Sequence, residues 1–388
     1  MKIGIFTDSY LPYTSGVVRS IETCNAELRS MGHETLIFAP GYKNYSQEEE
    51  GVFRFPSVPA PTNRDFALAI PFSPRFKPLI EQWRPDIIHV HSPFLLGRLG
   101  ARQARRLKVP LVFTFHTLYD QYVHYFPFAR SLAREATRQL CRAFCNRCDL
   151  VIVPTSIIAR YLQDMGIRTR IKVIPTGIKL EEYAGGEKSW LRHKLQLPPG
   201  EKILLFVGRL GKEKNIDFLL ASFAHLVQEF EAARLVLVGG GPEEENLRKR
   251  ARHLGIAGKV TFMGPLPKKE VINCYAGADV FVFSSKTETQ GLVLAEAKAA
   301  GLPVVAVKAF GTAEMVDDGR DGFLTPEDSN AFTAKIKELL TSDQLRQQMS
   351  EEARKNARLL SSRHTAQMLM EEYQGLLAKR NHPSPCRP

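Results

Sequence analysis

No run of eighteen or more uncharged apolar residues occurs in the 388-residue chain, so no segment is built to cross a bilayer as a helix. An acid as early as Asp8 is at odds with a secretory leader, and the expectation is a cytosolic protein. Six cysteines are too few for a disulfide scaffold, in keeping with a reducing compartment. Repeats at solenoid periods and low-complexity tracts are missing, which excludes array architectures. Neither GxxxxGK[S/T] nor GxGxxG is present, which removes P-loop and ordinary dinucleotide-binding readings.

What is present is ordinary globular material, 44% apolar and 24% charged, in a length that suits two domains. Short apolar runs alternate with helix-period segments throughout. Lys2–Thr7, Thr35–Ala39, Asp86–Val90, Pro110–Phe115 and Asp149–Val153 lie in the first half. Lys202–Gly208, Arg234–Gly239, Lys259–Met263, Asp279–Phe283 and Pro303–Val307 lie in the second. Continuous rather than alternating hydrophobicity marks strands covered on both faces, the pattern of parallel sheets wrapped by crossover helices. The expected fold is α/β, with two doubly wound, Rossmann-like domains. The stretch Gly177–Pro199, rich in Gly and Pro, is the linker candidate, which gives domains at 1–183 and 184–362. Residues 363–388 are expected to form a helix packing back on the first domain and then a frayed tail. In such sheets ligands bind beyond the carboxyl ends of strands, so the two domains are expected to face each other across a cleft that holds the site.

Charge is unevenly spread. Of the net +12, residues 1–180 carry +10, with 24 cations against 14 anions, and the remainder only +2. A polyanionic partner is implied: nucleic acid, an anionic lipid surface or a phosphorylated small molecule.

Four loops at strand ends carry chemistry. Gly208-Arg209-Leu210-Gly211-Lys212-Glu213-Lys214 places cations beside a helix start, a natural seat for a diphosphate, though such a turn taken alone is as often a solvated basic loop. Ser284-Ser285-Lys286-Thr287-Glu288-Thr289-Gln290-Gly291-Leu292-Val293 runs into a helix that carries Glu296. Gly291 permits close approach at a helix N-terminus whose N–H groups favour an anion, and carboxylates at 288 and 296 can accept from two sets of hydroxyls on one ligand. A lone helix glutamate usually faces solvent; the phosphate-type surroundings argue otherwise for Glu296. In the first half, Thr14-Ser15-Gly16-Val17-Val18 opens a helix after strand one, and His116 follows the strand LVFTF. A lone His at a strand end is more often a local hydrogen-bonding residue than a catalyst, but this position favours function.

Together, Glu288 with Glu296, the GRLGKEKN turn, the SGVV loop and FHT resemble the retaining glycosyltransferases of family 4, with the two-domain glycosyltransferase-B fold, over nearly the whole chain. Within that family, DSYLPYTSGVVRSI, FHTLYDQYVHYF and SSKTETQGL are most similar to the bacterial enzymes that glucosylate diacylglycerol. The resemblance implies that Arg209 and Lys214 neutralise the donor diphosphate, aided by backbone N–H groups at Gly16, Leu292 and Val293. Glu296 would accept from the ribose, Glu288 from the transferred sugar, and Gly239–Pro242, including Gly241, with Gly264–Leu266 would line the base. His116 would lie beside the reacting sugar. Gln290, where many relatives carry an apolar or aromatic residue, points to the lipid sub-family. The implied donor is UDP-glucose, with UDP-galactose and a GDP sugar left open, and the implied acceptor is diacylglycerol. Phosphatidylinositol, a polysaccharide or a soluble sugar precursor is the alternative. No cofactor is implied, and the lack of any Asp-x-Asp removes the metal–diphosphate clamp of the other large glycosyltransferase fold, so activity without a metal is expected.

Arg130, Arg134, Arg138 and Arg142 step about 40° apart at roughly 100° per helical residue, with Leu132, Ala133, Ala136, Leu140, Ala143 and Phe144 opposite. A second cluster, Arg98, Arg102, Arg105, Arg106 and Lys108, and the aromatics Tyr119, Tyr122, Tyr125, Phe126 and Phe128 lie upstream. Cations interleaved with aromatics suit an anionic bilayer surface, and the expectation is a peripheral protein on the inner face of the cell membrane. A solvated arginine face is the plainer alternative. The same helix holds Cys141, Cys145 and Cys148, spaced like an iron–sulfur motif. They fall in an arginine-rich helix rather than a loop, so the match is read as accidental. Nucleic-acid binding, the other use of a basic half, lacks any module signature, and Glu288 and Glu296 would repel phosphates.

Overall fold

The computed structural model describes every residue except 44, 46–48, 61–62, 121–129 and 382–388. The chain forms two units, Met1–Gly177 with the segment from Ser362 onward, and Ile178–Ser361.

The described first unit contains β1 (Lys2–Phe6), β2 (Glu34–Pro40), β3 (Val52–Phe55), β4 (Ser57–Ala60), β5 (Asn63–Ala69), β6 (Ile87–Val90), β7 (Leu111–Thr114), β8 (Leu150–Val153) and β9 (Ile171–Val173). Seven of them form a parallel sheet in the order β3-β2-β1-β6-β7-β8-β9, while β4 and β5 pair antiparallel. Ile3, Phe6, Ile37, Phe38, Ile87, Val112 and Val151 are sealed from solvent, as the continuous apolar runs require. Strand order reverses between β1 and β6, which makes their carboxyl ends the switch point of this sheet. The Ser362–Asn381 helix lies along the Gly16–Ser30 helix and sinks Leu369, Met370, Tyr373 and Leu376 into the same core. Ser362 donates a 2.6 Å hydrogen bond to Glu27 at its start.

The second unit contains β10 (Lys202–Val207), β11 (Ala233–Val238), β12 (Val260–Gly264), β13 (Val280–Phe283), β14 (Val304–Val307) and β15 (Gly322–Thr325), all parallel, in the order β12-β11-β10-β13-β14-β15. Its switch point falls between β10 and β13. Both of the chemistry-bearing loops read from the second half follow these two strands. The units divide between Gly177 and Ile178, ahead of the position read from the linker, because Ile178 and Tyr183 are already buried in the second core.

The Arg130–Cys145 helix turns a different face inward from the one its spacing suggests. Leu132, Ala136 and Ala143 are exposed, and the buried flank is Cys141, Phe144 and Cys145. Phe144 meets the Phe113 ring of β7 edge-on at 5.2 Å, and the small thiols of Cys141 and Cys145 make up the rest of this buried flank.

Candidate active site

After β10 the chain makes a tight turn whose ends are pinned by buried Leu210 and Ile216. Leu210 N–H donates to Gly240 O at 3.0 Å, and Glu243 N–H returns to Leu210 O at 3.0 Å. This brings the glycine segment after β11 against the turn so closely that a Cβ on Gly241 would lie 2.4 Å from Leu210 O, and one on Gly239 2.0 Å from Gly208 O. Arg209 is exposed on this turn, while Lys214, at the end of a single 3₁₀ turn (Lys212–Lys214), folds inward.

The loop after β13 receives it. Ser284 and Ser285 are fully buried; Ser284 donates to Lys214 O at 2.8 Å and Ser285 to Glu288 Oε1 at 2.8 Å. Lys214 Nζ is ion-paired and hydrogen-bonded to the same Glu288 carboxylate, with both side chains 18% exposed. Burial pushes the Glu288 pKa up, but the Lys214 charge and the hydrogen bonds from Lys214 and Ser285 outweigh it, and the group ends below its ordinary value. Glu288 is therefore an anion held by a cation. Gly311 backs the loop, its N–H donating to Glu288 O at 3.0 Å.

Gly291, in the left-handed region at φ 85°, turns the chain into the Leu292–Ala299 helix directly after Glu288 and the buried Gln290; in that first turn Leu294 N–H donates back to Gly291 O at 2.9 Å, which leaves Leu292 and Val293 as the N–H groups at the helix start. Glu296 is 2% exposed on this helix and accepts a 2.8 Å hydrogen bond from Tyr275, a residue of the Lys268–Gly277 helix. In the last turn of the same helix, Lys298 forms a buried 2.6 Å pair with Asp321 and also donates to Met315 O at 2.8 Å. Neither Tyr275 nor this pair carries a local sequence signal.

In the first unit, Ser15 caps the Gly16–Ser30 helix by accepting from Val18 N–H at 3.3 Å, and Gly16 is exposed at its start. His116, just beyond β7, has Nε2 2.8 Å from Nδ1 of His91, and the two rings stack at 5.1 Å. His89, on β6, lies under His91 and is held by Tyr373 Oη at 2.6 Å and Thr114 Oγ1 at 2.7 Å. Burial lowers all three pKa values, His116 to about 4 and His89 to about 3, so these imidazoles are neutral at physiological pH. Asp8, after β1, accepts from Leu96 N–H at 2.8 Å and from the Ser92 hydroxyl, capping the Leu95–Leu107 helix, which has no side-chain cap of its own. His91 and Asp8 were not singled out from sequence; the His-Val-His alternation at a strand end, which sets two rings on one face, was the available signal.

Arg134 and Arg142 are exposed and Arg138 is half-buried, with Arg134 3.5 Å from Asp120. The Arg130 side chain, Tyr122, Tyr125, Phe126 and Phe128 lie outside the described residues. Cys141, Cys145 and Cys148 are buried thiols pushed up by burial, Cys141 to about 12, and no group of three metal-ligating side chains occurs among the described residues. No described helix is long and apolar enough to cross a membrane.

Residues 14–182 match the family model "Glycosyltransferase Family 4" and residues 188–356 match "Glycosyl transferases group 1". The chain is 38% identical over 312 residues to an alpha-monoglucosyldiacylglycerol synthase of Streptococcus pneumoniae, covering 79% of this chain and 71% of that one. The chain belongs to glycosyltransferase family 4. This family 4 enzyme is also 30% identical to a GDP-mannose-dependent alpha-mannosyltransferase of Corynebacterium glutamicum, over 84% of this chain and 76% of that one. In structure it matches Anabaena HepE, solved in complex with UDP, with a TM-score of 0.79 at 21% identity, covering 97% of this chain and 100% of that one. The fold is glycosyltransferase-B.

Proposed function

We propose that this glycosyltransferase moves glucose from UDP-glucose to 1,2-diacylglycerol with retention of the α configuration, working as a peripheral protein on an anionic membrane face. The observation that carries the reading is the Lys214–Glu288 pair at the switch point, beside the open N-terminus of the Leu292–Ala299 helix. An anion and a cation locked together there suit a ligand that offers a diphosphate and sugar hydroxyls within one short span. The similarity to the pneumococcal diacylglycerol enzyme supports the lipid acceptor.

In this reading Arg209, Lys214 and the N–H groups of Leu292 and Val293 take the diphosphate. Glu288 accepts from the sugar and Glu296, fixed by Tyr275, from the ribose. Gly241 and its neighbours line the base, and Gln290 and Gly291 shape the wall. His116, neutral through burial, offers a hydrogen bond without a charge. The anomeric carbon's bond to the phosphate oxygen breaks as its bond to the acceptor oxygen forms on the same face. The acceptor proton passes to the departing phosphate. The protein contributes positioning and charge stabilisation, with Arg209 and Lys214 in the place of a metal.

The test offers UDP-glucose, UDP-galactose and GDP-mannose with dioleoylglycerol, phosphatidylinositol or soluble sugars. α-Glucosyl diacylglycerol from UDP-glucose is the expected product. A mannosyl product, or transfer to a soluble sugar alone, refutes the proposal.

A further inference from the structure

We infer that an apolar cavity in the first unit grips one acyl chain of the acceptor. The inference rests on the lipid-acceptor reading and adds the place and the selectivity. The cavity, of about 420 Å³, is walled by Phe66 and Leu68 of β5, Phe94 and Leu95 at the start of the Leu95–Leu107 helix, and Leu140 of the Arg130–Cys145 helix. That volume is of the size that holds a small ligand. Asp8, beyond β1, also lines it, so the cavity adjoins the carboxyl edge of the sheet, where Gly16 opens its helix and where a lodged chain can present its headgroup.

The surroundings favour a lipid tail over a sugar. Phe94 and Leu95 are 38% and 41% exposed, where a helix start would ordinarily carry polar residues. Val58 of β4, Ile70 and Phe72 just past the end of β5, and Leu132 are also exposed, so six of the seven large exposed hydrophobics among the described residues lie on or immediately beside the hairpin and the two helices that wall the cavity. Leu132 lies about 12 Å along its helix from Leu140, at 1.5 Å per residue. Concentrated exposure of this kind marks a contact surface. The charges match one kind of surface: Arg98 lines the cavity, Arg102 follows one turn on, and Arg134 and Arg138 share the helix of Leu132 and Leu140. A tail in the cavity with cations at its mouth is the arrangement an anionic headgroup layer would meet. An inositol or hexose acceptor would leave its hydroxyls unpaired against these walls.

The experiment uses the full chain and two filling variants, Leu68→Trp and Leu95→Trp; Leu95 is exposed enough to accept the ring without disturbing folding, and a UDP-induced thermal shift checks the second unit. Diacylglycerols with eight-, twelve- and sixteen-carbon chains are presented in micelles of fixed composition. In the natural protein KM for the acceptor falls as chains lengthen, by up to about fourfold per methylene until the cavity is full. In the variants the sixteen-carbon KM rises at least tenfold, the eight-carbon value moves less than twofold, and KM for UDP-glucose does not change. Binding of the fluorescent fatty acid cis-parinaric acid is measured beside it and is lost in both variants. If the variants keep the natural chain-length profile and bind the probe equally well, the cavity assignment is overturned. If probe binding needs the cavity but no diacylglycerol is glycosylated, the functional reading fails while the apolar-chain site stands.

Discussion

Breaking the Lys214–Glu288 pair should separate its structural worth from its chemical one. Both side chains are 18% exposed, and Glu288 keeps one further hydrogen bond, from Ser285 at 2.8 Å. With Lys214→Met the carboxylate stays buried with that single donor, and the balance that holds its pKa below the ordinary value reverses, since burial is the largest influence on it. Removing one partner of a fully buried pair costs about 3–5 kcal/mol, and the residual exposure here places the cost near the lower bound, about 2–3 kcal/mol. For a unit of this size that lowers Tm by about 5–10 °C. Glu288→Gln alone leaves Lys214 unpaired at a similar cost, but the double variant leaves no uncompensated charge and should return to within about 1 kcal/mol of the natural protein. Turnover behaves differently. Each single change, and the double, should lose about 10²–10³ in kcat, the loss typical of one preorganised electrostatic group. Calorimetry and a glucose-transfer assay on the four proteins decide it. Strictly additive Tm losses would show that the two residues do not share an interaction, and near-natural turnover in the double variant would remove them from the reaction.

Four further outcomes are expected. Tyr275→Phe removes a hydrogen bond to the Glu296 carboxylate, worth about 1.5–3 kcal/mol, and should raise KM for UDP-glucose roughly 10- to 100-fold; an unchanged KM would take Glu296 out of donor binding. Because the His116 pKa is lowered in the folded state to about 4, the unfolded chain binds the proton first as pH falls from about 6.5, and stability should decline through that window by about 3 kcal/mol by pH 4, with His89 adding to it in the same direction. Denaturant titrations from pH 7 to 4 read this, and a flat profile would mean the imidazoles are charged or solvated. Activity should persist in a chelator; a strict magnesium or manganese requirement would overturn the metal-free reading. Replacing Arg134, Arg138 and Arg142 by Ala should weaken binding to anionic vesicles by up to about 3 kcal/mol, or roughly 100-fold, and equal binding of the natural protein to neutral vesicles would count against membrane docking.

The ten strands read from apolar runs are all present, because a strand covered on both faces has no choice but continuous hydrophobicity. Those that escaped notice are β3, β9 and β15, three of the four edge strands of the two sheets, and the β4–β5 hairpin. An edge strand is covered on fewer sides, so its sequence is free to carry Arg54 in β3, Lys172 in β9 or Gly322 at the head of β15, and Pro59 sits in β4 where no inner ladder needs its N–H. The helix of residues 130–145 misled for a related reason. Even spacing of arginines locates a polar side but leaves the inward face undetermined when cysteines can fill it as well as leucines.

The candidate site divides along the same line. The loops after β1, β10 and β13 were legible because they follow strands at the two switch points, where a parallel sheet presents ligand-binding groups whatever the side chains are, whereas the His116 loop follows β7, one strand beyond the reversal. What each side chain does there was not legible, because its state is set by residues far away in sequence. Lys214 meets Glu288 across 74 positions, Tyr275 reaches Glu296 across 21, and His89 is held by Tyr373 across 284. A motif can specify that a carboxylate stands at position 288; only the lysine and serine packed around it make that carboxylate an anion below its ordinary pKa. His116 gives the sharper case, since a lone histidine at a strand end would by default titrate near neutrality and be read as an acid or base. Stacked on His91 and half-buried, with desolvation lowering its pKa, it is a neutral hydrogen-bonding ring, and its chemistry follows from packing that no local pattern encodes.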